Sequence, residues 1–247
     1  MKNKIQYKLG KILVIIALAL STILLIISSA TEEILPSFPL AQGSYWVYQG
    51  TTKWTTEQSV NEENVTWKME VVEAIKRGSV TGFVLKGSPY DLAWYNQGKK
   101  PGDYLMIHVY PDQFYLVNSN EKVANLVKRL KDKDDPLVGL VEERELFLDF
   151  PLIRGKVFGE AKQITRQDKW YCWLVESEKS TNIQNIKGVK KIQGVTEYEL
   201  AYRTSPEHTI IDIVPGVGIT RFVYVHHGSV AETDVKLIEY FPGKEIG

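Results

Sequence analysis

From Ser44 onward, apolar and polar side chains tend to alternate, which is the period of a strand with one buried face. The first such stretch is SYWVYQGTTKW. VTWKMEVVEAI and SVTGFVLKG follow it around a turn at Lys76, Arg77 and Gly78. DLAWYN and YLMIHVY flank residues 97–103, where Gly98, Pro101 and Gly102 are turn formers. Pro111 and Asp112 turn the chain again into FYLVN. KWYCWLVES, GVTEYELAYRT, HTIIDIV, GITRFVYVHHG and TDVKLIEYF continue the pattern in the second half. One segment departs from it. Residues 119–133, SNEKVANLVKRLKDK, place Val123, Leu126, Val127 and Leu130 at helical spacing. Ser119 or Asn120 can cap the start, and Lys128, Arg129 and Lys131 suit the dipole at the end. The pattern predicts a mainly β (α+β) fold: a curved antiparallel sheet with one amphipathic helix packed on it.

The N-terminus adds a different element. Residues 12–27, ILVIIALALSTILLII, are apolar at fourteen of sixteen positions, predicting a hydrophobic helix ahead of the sheet. Lys2, Lys4, Lys8 and Lys11 surround its start, and Ser28, Ser29 and Ala30 follow it. This is the layout of a secretory signal. Residues 12–30 are also about 28 Å of helix, enough to span a bilayer with the N-terminus in the cytoplasm. Both readings place everything after residue 31 outside the cytoplasm, as a secreted domain or as a single-pass protein held in the membrane through residues 12–30. The predicted organisation is thus residues 1–30 as signal peptide or anchor, 31–37 as leader, and 38–247 as the exported β-rich domain.

Charge and cysteine narrow the function. The chain has 30 basic and 30 acidic residues. Removing the four lysines of residues 1–30 leaves 26 against 30, a net of −4. A mildly acidic body without a basic stripe argues against nucleic acid as a partner. The one cysteine, Cys172, makes no internal disulfide and reads as a small buried hydrophobe.

A phrase occurs twice. FPLAQGSYWVYQG begins at Phe38, and FPLIRGKVFG begins 112 positions later at Phe150. Pro39 and Pro151 push the preceding Phe into an extended conformation. Leu40 and Leu152 offer anchors, and Gly43 and Gly155 permit a bend before a strand that carries Trp46 in the first copy. Two copies imply two similar halves, 38–149 and 150–247. With PGVGITRFVYVHHG (Pro215, Gly216, Gly218), these phrases resemble a pattern of uncharacterised bacterial exported proteins, FPLxxGxxWxY … FPLxxGxxW … PGVGxxR/K. This chain departs from it in lacking a lipobox cysteine and in having Phe158 where a second Trp is usual. The resemblance implies a β-rich fold. By analogy with lipid-carrying curved sheets of the LolA and LppX type, it also implies a hydrophobic ligand as one alternative.

Candidate chemistry is sparse. The nucleophile elbow, the zinc helix and the phosphate loop are absent, and Pro215–Gly218 lacks the third glycine and following helix of a dinucleotide fingerprint. His226 and His227 point to opposite faces of a strand, so no metal site is expected. Asp132, Asp134 and Asp135 lack the spacing of a calcium loop. Glu142, Glu143 and Glu145 read as a solvated run. Tyr224, His226 and Glu232 are the weak candidates for a polar site at a hairpin mouth. Trp46, Trp67 and Trp94 either line an apolar pocket or belong to the core. The expected function is an exported, non-catalytic envelope binding or structural module without cofactor, with a possible lipid or protein partner. The alternatives are a lipid carrier with a half-barrel fold and an enzyme with an unrecognised site.

Overall fold

The computed structural model describes residues 37–57 and 59–244. The hydrophobic run 12–27, and with it the signal-or-anchor reading of residues 1–30 and the leader up to residue 36, lies outside the described residues. Among the described residues, no helix is long and apolar enough to cross a membrane.

The chain forms β1 (Tyr45–Thr55), β2 (Val60–Arg77), β3 (Val80–Lys86), β4 (Asp103–Val109), β5 (Gln113–Val117) and β6 (Leu146–Asp149). It continues with β7 (Val157–Phe158), β8 (Trp173–Ile183), β9 (Ile192–Arg203), β10 (Glu207–Val214), β11 (Gly218–His226) and β12 (Ala231–Phe241). Among the described residues two α-helices, α1 (Asn120–Lys131) and the single turn α2 (Ala161–Ile164), interrupt the strands. All twelve strands belong to one sheet, ordered β6-β5-β4-β3-β2-β1-β12-β11-β10-β9-β8-β7. Every neighbour is antiparallel.

This order dictates the shape. The chain starts mid-sheet, meanders to one edge at β6, crosses to the opposite edge at β7 and meanders back to pair β12 with β1. Only residues 150–156 join the two edges, a span of at most about 25 Å, so the sheet must roll up. Phe147 of β6 meets Trp173 of β8 edge to face at 5.7 Å between ring centres. The architecture is a nearly closed barrel rather than a half-barrel, because side chains bring its edges together.

The repeated phrase now has a structural meaning. Gly43 and Gly155 adopt φ of +82° and +86°, a conformation that disfavours any side chain. The Gly43 N–H donates to Val71 of β2, and the Gly155 N–H to Val175 of β8, each at 2.8 Å. Val71 and Val175 donate back to Ser44 and Lys156, each at 2.9 Å. Ser44 and Lys156 in turn close onto Ala41 and Ile153, again at 2.9 Å. Both copies are the same backbone device, each feeding the first of six strands. The outcomes differ. β1 pairs with β12 along Tyr45–Phe241 to Trp54–Ala231, whereas no backbone ladder joins β7 to β6. One seam is zipped and its counterpart is open.

The inner face carries one continuous core that includes Trp46, Tyr48, Trp67, Phe114, Phe158, Leu200, Phe222 and Val235. Part of this interior is filled by residues 87–95. DLAWYN is not a strand: Ser88 and Pro89 start a 3-10 turn, Pro89–Leu92, that leads the chain inward. There the Leu92 carbonyl accepts from Thr233 Oγ1 at 2.6 Å, and the Gly87 carbonyl accepts from the Trp67 indole at 2.8 Å. Asp91 accepts from Gly102 N–H and Tyr104 O–H, each at 2.9 Å, which satisfies a carboxylate whose pKa burial pushes up.

The outer face is covered locally by α1, whose Val123, Leu126 and Leu130 pack on Leu105, Ile107 and Val117. Gly82 of β3 makes room, since a Cβ there would lie 2.4 Å from a Leu130 methyl. At the helix exit the Arg77 guanidinium donates to the carbonyls of Leu130, Asp132, Lys133 and Asp135. Arg129 pairs with Asp135 at 2.9 Å. The acidic run 132–135 is therefore a helix exit held by arginines.

Candidate functional site

The residues singled out by sequence are placed in separate environments. Trp46 and Trp67 are core residues, with their indole N–H groups on Val217 and Gly87 carbonyls. Trp94 is 49% exposed, sits at φ +55° and packs on His226 at 4.4 Å. The three tryptophans do not share a pocket. Tyr224 and His226 lie on one face of β11, but Glu232 pairs across from Val225, and its carboxylate points to Lys53 at 3.7 Å. The neighbour that replaces it is Glu207, whose Oε1 accepts from Tyr224 O–H at 2.8 Å and from the Trp94 indole at 3.1 Å. His226 Nδ1 is occupied by the Ser229 and Gly228 amides at 3.0 and 3.2 Å. His227 stands edge-on to His208 at 4.5 Å. Burial pushes the His208 pKa down, reinforced by His227. Among the described residues, no group of three His, Cys, Asp or Glu side chains is arranged to hold a metal. Cys172 is buried, its thiol pKa raised by that burial, and it donates to the Lys169 carbonyl at 3.3 Å.

The open seam supplies a more coherent site. Two adjoining cavities, of about 260 and 340 Å³, flank β6 and β7 and share Arg144, Leu146, Trp173 and Tyr202 as walls. The first is completed by Tyr90, Phe147, Leu116 and Thr209, and the second by Gly159, Glu160 and Tyr171. Each wall has a local cause. The 3-10 turn at Pro89 delivers Tyr90. A second 3-10 turn, Glu143–Glu145, exposes Arg144 just before β6, and there the Glu142 N–H donates to Glu145 at 3.1 Å. The β8–β9 register sets Trp173 opposite Tyr202.

The Tyr90 and Tyr202 hydroxyls make no hydrogen bond to another described residue. Burial raises both pKa values, and for Tyr202 the nearby Cys172 and Glu160 add to the rise. The cleft therefore offers aromatic walls, two free phenols and the Thr209 hydroxyl. That is an inventory for holding a molecule, with no nucleophile and base paired for reaction. Sequence reading missed it because Tyr90, Phe147, Trp173 and Tyr202 come from four distant segments that only the closed ring of strands unites.

No protein-family model matches the chain, and no curated protein matches it significantly. The chain is similar in structure to a candidate exported protein with YmcC-like fold from Bacteroides fragilis. That pair has 12% identity and a TM-score of 0.40, covering 83% of this chain and 99% of that one. It is also similar to a candidate lipoprotein from Parabacteroides distasonis, at 12% identity and a TM-score of 0.36, covering 83% of this chain and 98% of that one.

Proposed function

We propose that this protein is an exported, non-catalytic binding module of the cell envelope that takes a small amphiphilic ligand in the cleft at its open seam. Export rests on the lysine-flanked apolar run 12–27. The ligand site rests on one observation: where the repeat calls for a second zipped seam, the barrel has instead an aromatic cleft with unpartnered phenols. The interior favours this reading over a carrier that swallows a whole lipid, because residues 87–95, with Leu92 and Tyr95 in the core, occupy space an acyl chain would need. Cavities of about 260 and 340 Å³ sit at the small end of ligand sites and suit a headgroup or a small molecule.

A neutral apolar fluorophore, N-phenyl-1-naphthylamine, tests the site. It is expected to bind the full-length protein with a stoichiometry of one. Leu116→Trp, which fills the cleft from β5, is expected to abolish that binding while leaving the melting temperature within a few degrees. Unchanged binding in the filled variant would remove the cleft as the site.

A further inference from the structure

The cleft's four rings form a box. Tyr90 and Phe147 have centroids 6.0 Å apart at 76°, Phe147 and Trp173 5.7 Å apart at 82°, and Trp173 and Tyr202 5.4 Å apart at 52°. Tyr90 and Tyr202 both line the same cavity of about 260 Å³. These are packing contacts between neighbouring rings, and all four rings line the cavity. An aromatic face carries negative potential, and several faces around one desolvated point are the arrangement that selects a positive charge.

The surrounding charge has the same sign. Glu145 lines the cleft itself and Glu160 the adjoining cavity. Glu142 and Glu143 stand beside them; Glu143 accepts the Ala161 N–H at 3.2 Å. Against these four carboxylates stand three cations. Lys122 is held between Glu142 and Glu145 at 2.5 and 2.6 Å, Lys162 lies on Glu160 at 2.8 Å, and Arg144 at the rim has Nε on Glu142 at 2.7 Å. Each of these three cations is already paired with one of these carboxylates. Burial raises the Tyr202 pKa, and the nearby Cys172, Glu160, Tyr171 and Glu207 add to the rise.

We propose that the seam cleft is an aromatic cage for an organic cation of the trimethylammonium type, held by Tyr90, Phe147, Trp173 and Tyr202. This rests on the cleft being the ligand site, and it adds the charge of the ligand. Arg144 lines the same cavity with its guanidinium engaged by Glu142 at 2.7 Å.

The test is titration calorimetry of the full-length protein with choline and with 3,3-dimethyl-1-butanol, its neutral isostere of the same shape. Choline is expected to bind about 5- to 30-fold more tightly, the range that cation–π contacts in a partly desolvated site provide. Tyr202→Phe is expected to retain choline binding and Tyr202→Leu to lose it at least fivefold, which separates the ring from the hydroxyl. Phosphatidylcholine vesicles tell a lipid headgroup from a free cation: co-flotation blocked by choline identifies the headgroup, and choline binding without co-flotation identifies the free ligand.

Equal affinity for choline and its isostere would overturn the cage, as would undiminished choline binding by Tyr202→Leu. If the naphthylamine probe binds and choline does not, the cation inference fails while the cleft survives. If neither binds, both fail.

Discussion

Trp46→Ala is expected to cost about 4–6 kcal/mol, a large share of the stability of a domain this size. Trp46 is fully buried near the start of β1, where three sequence motifs converge. Its ring stacks on Phe38 of the first repeated phrase at 6.5 Å and on Tyr240 of β12 at 5.2 Å. Its indole N–H donates to Val217 at 2.7 Å, inside the Pro215–Gly218 turn. Gly218 sits at φ +99°, and a Cβ there would lie 3.0 Å from the indole nitrogen. Phe38 then reaches Phe114 at 5.8 Å, and Phe114 reaches Phe150 of the second phrase at 6.0 Å. Truncating Trp46 empties the centre of this cluster and leaves the Val217 carbonyl buried without a donor, so the cavity cost and the desolvation cost add. Trp46→Phe, which keeps most of the ring, is expected to cost about 1–3 kcal/mol through the lost hydrogen bond. Urea unfolding measures both. A loss below about 2 kcal/mol for Trp46→Ala would mean that the motifs do not anchor the fold.

Asp212→Asn is expected to stabilise the protein at neutral pH, and the gain is expected to vanish in acid. Asp212 is 5% exposed in mid-β10, and its Oδ1 is buried without a partner. Burial raises its pKa to about 6, helped by Glu197 and Glu199 and opposed by Lys179 and Arg221. The folded state therefore holds this proton more tightly than the unfolded chain does. Below about pH 3 both states are protonated and Asp212 costs nothing. As pH rises toward 6 the unfolded chain ionises first, and native stability falls by about 2–3 kcal/mol. Asparagine cannot ionise. The difference between variant and parent is expected to be near zero at pH 3 and about 2–3 kcal/mol at pH 7, read from urea midpoints across that range. A difference that does not change with pH would refute the assignment.

Sequence pattern revealed the local elements well where one face of a strand or helix is buried. Val123, Leu126 and Leu130 betrayed α1 because a helix on an outer sheet face must show a single stripe. YLMIHVY read as a strand although both its faces are apolar: Tyr104 and Met106 enter the interior, and Leu105 and Ile107 meet α1. DLAWYN misled because its apolar residues fill the barrel without joining the sheet; Leu92 is fully buried as a plug.

The polar candidates failed on register. Tyr224 and His226 are correctly on one face, yet the β11–β12 pairing sends Glu232 to the other, while the β10–β11 pairing presents Glu207. A one-residue difference in pairing decides which carboxylate arrives, and no single strand encodes it. The repeated phrase was visible from the start. Its consequence, one zipped seam and one open one, depends on β7 having two residues where β1 has eleven.

The most direct test of the central claim is the mass of the full-length protein extracted gently from its native membrane, measured under native and then denaturing conditions. The account predicts a heavier native mass, shed on denaturation and absent from the Leu116→Trp variant. Equal native and denatured masses, or an added mass that persists when the cleft is filled, would contradict it.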